Sequence, residues 1–369
     1  MTIWKQSALT KKLGIDVPII QAPMAGGPTT PQLVAAVSSA GGLGSLGAGY
    51  MSANGLQRAI RDIRELTDRP FAVNLFIPTD FNYDEPVAHD MASFLDTISE
   101  SPSLKESMTL PNPAAMQKQF EDQLEVVIQE QVPVFSFTFG SLHTDLINQL
   151  QGRGTVVVGT ATTVEEARTL EQSGVDAVVV QGAEAGGHRG SFLTESSRTD
   201  LNTPALIGLM ALLPQIADVV RVPIIASGGI MDGRGIAASF VLGAQGVQMG
   251  TAFLPTEESG AHPSYKAALF DSKSEDTVVT RAFSGKFARG IQNSFIRQVE
   301  GYEGDIPDYP IQNALTRPIR NWASEQAQPD YMSLWAGQAL PLVRNLPAAA
   351  LVSQLIKETD AVFDRMRQS

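Results

Sequence analysis

The sequence predicts an α/β protein built as a (β/α)8 barrel, with a lid or insert subdomain after the eighth strand. Three observations point there. Eight short β-rich runs recur along the chain, and helical patterns separate most of them. The runs are mostly apolar rather than alternating, as expected of parallel strands covered on the outside by helices. The rival architecture is a doubly wound open sheet. It favours a Gly-x-Gly-x-x-Gly turn after the first strand and an acidic residue about 20 positions later. The first run instead enters Ala-Pro-Met-Ala-Gly-Gly-Pro (22–28).

In order, the runs are VPIIQAP (17–23), LGSLGAG (43–49), FAVNLFI (71–77), VFSFTFG (134–140), TVVVGTA (155–161), AVVVQG (177–182), PIIASGG (223–229) and GVQMGTA (246–252). Helix candidates between them include TPQLVAAVSSA, SANGLQRAIRDIREL, TTVEEARTLEQSG and DGRGIAASFVLG. In the third of these, Thr163 and Glu166 have the spacing of a capping box, and Gly174 supplies a stop. Successive runs start 21–28 residues apart, except for gaps of 63 after the third and 46 after the sixth. The first gap holds PTDFNYDEPVAHD and a helical stretch, PAAMQKQFEDQLEVVIQE; the second opens on GAEAGGHRGSFLTESSRTD. Residues 255–339 are polar, aromatic and turn-rich before a closing helix near 346–366. The expected division is therefore a barrel of 1–254 and 340–369, with 255–339 as lid and substrate subdomain. Insertions at the C-terminal ends of strands are where a barrel builds its active site.

Composition excludes several function classes. The 369 residues carry 27 basic and 39 acidic side chains, a net charge of −12, which argues against nucleic acid or an anionic membrane as partner. No cysteine is present, so disulfides, thiolate nucleophiles and Cys-ligated metals are out. Four histidines make a multi-histidine metal site a poor expectation. The longest apolar stretch, PALIGLMALLP (204–214), is too short to span a bilayer, and the N-terminus has no apolar leader core. The expectation is a cytoplasmic protein, monomer or homodimer, acting on a small molecule without a metal.

Glycine-rich segments follow the sixth, seventh and eighth runs. Those at Gly228–Gly229 and Gly250–Thr251 match the usual barrel phosphate site, where backbone N–H groups hold a dianion and a Cβ would block approach. Ordinary βα turns also favour glycine. His188 lies between glycines just past the sixth run, in a loop that looks mobile. It reads as a general base or a hydrogen-bond donor to substrate, against the plainer reading of a surface or structural histidine. Asn74, Gln181 and Gln248 are polar residues in or at the end of apolar runs. Each either joins a structural amide network or faces a ligand with donor and acceptor edges, and three on one rim suit a heteroaromatic ring such as a flavin. Tyr331 and Trp335, four apart, would share a helix face, either packing the lid or lining the pocket. His89, His143 and His262 read as non-catalytic.

These segments together resemble the nitronate monooxygenases, formerly called 2-nitropropane dioxygenases. The resemblance runs through QAPMAGG (21–27), GGLGSLGAGYM (41–51), VNLF (73–76), FSFTFG (135–140), GTATTVEEA (159–167), QGAEAGGHRG (181–190), ASGGIMDGRG (226–235), GVQMGTAFL (246–254) and WAGQ (335–338). It implies an FMN-dependent barrel enzyme that oxidises alkyl nitronates, such as propionate 3-nitronate, with molecular oxygen and without NAD(P)H. The implied course runs through a flavin semiquinone to a carbonyl compound and nitrite or nitrate. On this resemblance His188 is the catalytic histidine, bonding the nitro oxygens and serving as base where the neutral nitroalkane is used. Met24, Asn74, Gln181, Gly186, Gly228, Gly229, Gln248, Met249, Gly250, Thr251 and Gln338 match cofactor positions. Tyr331 and Trp335 match the substrate pocket. Thr138 stands where some members carry a second histidine. A related class, the NAD(P)H-dependent flavin reductases of the quinone or enoyl-thioester type, shares the glycine turns and a similarly placed histidine.

Overall fold

The computed structural model describes residues 3–79, 81, 83–99, 111–193 and 205–368. The expected TESSRTD part of the insert after the sixth run (194–200) lies outside them, as do positions 80 and 82 of the first insert. The barrel strands are β1 (Ile19–Gln21), β2 (Gly44–Gly47), β3 (Phe71–Phe76), β4 (Val134–Thr138), β5 (Val156–Ala161), β6 (Ala177–Gln181), β8 (Ile224–Ser227) and β9 (Gly246–Met249). They pair in parallel in the order β1-β9-β8-β6-β5-β4-β3-β2. A parallel bridge from Ile20 to Leu43 brings the two edges together, so all eight expected runs form one barrel. Their registers are set by apolar side chains buried on both faces, such as Val73 opposite Phe135 and Val179 opposite Ile225.

Each barrel strand is followed by its covering helix: α2 (Pro31–Ser39), α3 (Ala53–Leu66), α5 (Pro113–Gln129), α6 (Thr144–Gln151), α7 (Val164–Ser173), α8 (Leu209–Ala217), α9 (Gly233–Val241) and, after β9, α13 (Ala348–Gln368). α13 packs against α9 and α2 and so closes the helical ring. The N-terminal α1 (Ala8–Leu13) plugs the bottom: Leu9 and Leu13 pack with Ile20, Leu43, Val134, Val179 and Ile225. The predicted capping box on α7 is half realised. Thr163 Oγ1 accepts from the Glu166 N–H at 3.2 Å, and Gly174 ends the helix at φ +97°. The Glu166 carboxylate does not return to Thr163. It accepts instead from the N–H and hydroxyl of Thr162, at 2.6 and 2.7 Å, and from the N–H groups of Phe192 and Leu193, at 2.7 and 3.1 Å.

The region after β9 holds α10 (Pro263–Asp271), β10 (Thr277–Thr280), β11 (Ala288–Ile291), α11 (Ser294–Glu300) and α12 (Ile311–Glu325). It has a core of its own, built on Phe283, Phe295, Val299, Ile311, Leu315 and Ile319. The insert after β3 contributes to this core through α4 (Glu85–Ile98), whose Met91 and Leu95 are fully buried in it. Two insertions nearly 200 residues apart thus build one cap over the C-terminal ends of the strands. A small antiparallel sheet ties the cap to the barrel. It joins β10 and β11 to β7 (Gly187–His188), with His188 opposite Ala288.

Candidate active site

The cavity between barrel and cap has a volume of about 430 Å³. Its floor is made by residues at the C-terminal ends of the strands: Met24, Asn74, Thr138, Gln181, Gln248 and their neighbours. The three amides expected on one rim do converge. They are not equivalent. Asn74 is buried and its Nδ2 donates to Ser136 Oγ at 2.9 Å and to Thr138 Oγ1 at 3.4 Å, which gives Thr138 its structural place. Gln181 is fully engaged: Nε2 donates to the His188 carbonyl at 2.9 Å, and Oε1 accepts from the Gly190 N–H at 2.9 Å. The Gln248 amide has no hydrogen-bond partner among the described residues and opens onto the cavity.

Both glycine turns line the cavity. Gly228 and Gly229 have φ values of +122° and +66°, conformations that exclude most side chains. Among the described residues, the backbone N–H groups of Gly229, Gly250 and Thr251 donate to no protein acceptor. The α9 N-terminus, by contrast, is already satisfied. Asp232 caps the N–H groups of Arg234 and Gly235 at 2.9 and 3.3 Å, and Glu358 takes that of Gly233 at 3.1 Å. An anion therefore finds its free amides in the two turns, not at the helix.

Gly186 serves the fit of cap to barrel. A Cβ there would lie 2.5 Å from the Gly337 nitrogen and 2.6 Å from the Ala336 carbonyl carbon. At this junction the Gly337 N–H donates to Thr251 Oγ1 at 3.0 Å and the Gln338 N–H to the Glu184 carbonyl at 3.0 Å. Gln338 contributes this backbone bond, but its side chain is exposed and does not line the cavity.

The loop carrying His188 is not the mobile segment its glycines suggested. Pairing with β11 pins it, and Arg189 beneath it is almost fully buried, donating to the carbonyls of Gly182 at 2.6 Å and Gln181 at 3.1 Å. The His188 ring lines the cavity beside Trp335 (5.4 Å between centroids), Phe139 (5.8 Å) and Tyr309 (6.4 Å). Its Nε2 lies 2.9 Å from Ser284 Oγ. Burial first, then the cations of Lys286 and Arg320, push its pKa from 6.5 down to about 3. His188 is therefore neutral at physiological pH.

Trp335 lines the cavity as expected; Tyr331 does not. Their shared helix face is not found either. Only a single turn, Pro329–Tyr331, is helical, and Trp335 is extended, bridged to Gly290. Tyr331 packs inside the cap against Phe295 and Trp322. His262 is at the cavity wall but caps α10, its Nδ1 accepting from the Ser264 N–H at 3.1 Å; His143 caps α6 in the same way at 3.4 Å.

Sequence reasoning missed the cap's contribution. Phe139 has a left-handed φ of +76°, a strained setting for a bulky residue, and touches both Phe76 and His188. Lys286 Nζ sits 4.6 Å from the Phe139 ring centre. Arg320 donates to the Asn313 carbonyl and Oδ1 at 2.8 and 2.9 Å, and its buried Nε has no partner. Among the described residues, neither Lys286 nor Arg320 is in an ion pair. Of these, only Phe139 carried a signal, lying at the end of a recognised run. Among the described residues there is also no cluster suited to a metal ion and no helix long and apolar enough to cross a membrane.

A closed barrel with free amides at its last two strands and a histidine under a cap defines an oxidoreductase of the flavin-barrel class. A model of the nitronate monooxygenase family matches residues 6–358. A protein from Staphylococcus aureus (strain Newman) named probable nitronate monooxygenase is 45% identical over 361 residues, covering 98% of this chain and 99% of its own. Among solved structures, nitroalkane oxidase from Streptomyces ansochromogenes superposes with a TM-score of 0.87 at 41% identity, covering 98% of this chain and 100% of that one. FabK from Thermotoga maritima gives 0.74 at 31% identity, covering 98% and 99%. The chain belongs to the nitronate monooxygenase family.

Proposed function

We propose that this protein oxidises alkyl nitronates with molecular oxygen to a carbonyl compound and nitrite or nitrate, using FMN bound in the cavity. The observation that carries this is the charge of the site. Arg320 lines the cavity and Lys286 lies beside it, neither in an ion pair among the described residues, while His188 is neutral. Such a field favours a substrate that arrives as an anion, and a nitronate is already a carbanion equivalent that needs no strong base.

The residues present fit FMN. The free N–H groups of Gly229, Gly250 and Thr251 suit its phosphate, and the unpartnered Gln248 amide suits the edge of its ring. Met24, Asn74, Gln181, Gly186, Gly228 and Met249 complete the wall on this reading. FMN held there would supply the redox chemistry between substrate and oxygen. The chain's own residues bind and orient. His188 and Trp335 confine the nitronate, and the cap of α4 with residues 255–339 excludes water. A barrel of this build also suits an NAD(P)H-dependent flavin reductase.

One experiment separates the two. The flavin-loaded protein is mixed anaerobically with an alkyl nitronate and, separately, with NADH, and oxygen uptake is then followed in air. Uptake should track added nitronate and ignore NADH. Rapid loss of flavin colour with NADH, and none with nitronate, would reject the proposal.

A further inference from the structure

We infer that Ser284 is a positioning residue that fixes the tautomer of His188, keeping the proton on Nε2 and presenting Nδ1 to the cavity as a bare acceptor. The hydrogens around Ser284 can be assigned one by one. Ser284 is 1% exposed, so its hydroxyl must be satisfied within the protein. Its oxygen has three partners: the Lys286 carbonyl at 3.0 Å, the Lys286 N–H at 3.2 Å, and His188 Nε2 at 2.9 Å. A hydroxyl has one hydrogen and two lone pairs. A carbonyl only accepts, whereas Nε2 can accept or donate, so all three contacts are hydrogen bonds at once only when the hydroxyl hydrogen goes to the Lys286 carbonyl. The Lys286 N–H takes one lone pair. What remains is the second lone pair, and it is matched by a protonated Nε2. The neutral ring then carries no hydrogen on Nδ1. That atom has no partner among the described residues and is not among the buried unpartnered atoms, so it opens onto the cavity that the ring lines.

The backbone reinforces the setting. The His188 carbonyl accepts from Gln181 and the Arg189 N–H donates to the Phe287 carbonyl at 2.8 Å, so the peptide unit that follows the ring is held on both edges. The consequence deepens the proposed function and rests on it. A ring that offers a lone pair cannot donate a hydrogen bond to nitro oxygens; it can accept a proton. Toward a neutral nitroalkane, Nδ1 would take the α-carbon proton and the C–H electron pair would remain on the substrate as nitronate, whose new negative charge beside the ring offsets the cations that disfavour imidazolium in the empty site. No other reactant is needed for that step. Toward a preformed nitronate, no proton moves and the orientation of Nδ1 matters less. Ser284 thus bears chiefly on whether neutral nitroalkanes are used.

The test starts with the unmodified protein. The chain has four histidines, so the nitrogen resonances of His188 in 15N-labelled protein are assignable by their loss in His188→Asn. We expect a protonated Nε2 with a slowly exchanging, hydrogen-bonded proton, and an unprotonated Nδ1. In Ser284→Ala that protection is lost. Turnover of a neutral nitroalkane falls roughly tenfold, the worth of one hydrogen bond, while turnover of the matching nitronate falls by less; Ser284→Thr, which keeps the hydroxyl, restores the difference. A wild-type spectrum with the proton on Nδ1 overturns the inference, as does a Ser284→Ala protein with unchanged exchange and equal losses on both substrates. The spectrum needs no substrate, so a failed nitronate assay and a failed tautomer assignment are told apart.

Discussion

Acidification should destabilise the native protein through His188, by an amount that follows from its setting. The ring's pKa falls from 6.5 to about 3 because burial and the charges of Lys286 and Arg320 disfavour imidazolium. Above pH 6.5 the ring is neutral in both native and unfolded chains, so it contributes no pH dependence. Between 6.5 and 3 the unfolded chain binds a proton that the native state refuses, and stability therefore falls as pH falls. Below 3 both states are protonated and the slope ends. Linkage of this one proton to unfolding gives a loss of about 2 kcal/mol by pH 5, since each unit of unequal titration is worth about 1.4 kcal/mol. The assay is urea unfolding of flavin-free wild type and His188→Asn at a series of pH values from 7 to 5. Other groups titrate in both proteins, so the difference between them isolates position 188. Wild type should lose about 2 kcal/mol relative to the variant over this range. Parallel curves, or a wild type that gains on the variant as pH falls, would refute the electrostatic reading of the site.

Two substitutions probe the frame around that ring. Gly229→Leu places a side chain at a φ of +66°, with its Cβ 3.2 Å from Glu184 Cβ, and should abolish retention of the flavin colour while far-UV circular dichroism stays native. Bound FMN at wild-type stoichiometry would remove Gly229 from the phosphate site. Glu166→Ala deletes the acceptor of four hydrogen bonds and strands two buried donors at Thr162 and part-buried ones at Phe192 and Leu193, at a cost of about 3 kcal/mol. Thermal unfolding measures it, and an unchanged midpoint would mean that the loop beyond His188 is held by something else.

The barrel was legible because its strands are buried on both faces. Val157, Val178, Ile225 and Val247 leave little ambiguity in short apolar runs, and most C-terminal turns announce themselves by glycine. The cavity floor was legible for the same reason, since Asn74 and Gln248 are polar where the pattern demands apolar residues. The cap was not. Tyr331 and Trp335 have helical spacing, but the bridge from Trp335 to Gly290 outweighs local preference and holds the segment extended. Glycines around His188 suggested motion because their conformational freedom is visible in sequence, whereas the pairing with Ala288, exactly 100 positions away, is not. Ser284, Lys286 and Arg320 acquire meaning only through such long-range contacts.

The same contacts explain why this fold places its histidine on a cap strand rather than on a barrel strand. A histidine at the rim, open to water, would titrate near its ordinary value and be half-charged close to neutrality. Pairing β7 with β11 carries the ring under Phe139, Tyr309 and Trp335 and sets Lys286 beside it. Aromatic faces remove water, and the cation disfavours a second positive charge. The site is then left with positive potential and a neutral acceptor, two properties that an exposed histidine cannot combine. The free amides stay with the barrel at Gly229, Gly250 and Thr251, where an anion would be held without side-chain ordering. Gly186 and Gly337 join the halves by backbone contact, which fixes the height of the cap above the floor. A Cβ at Gly186 would push that junction apart, and with it Trp335 would move away from the His188 ring it covers.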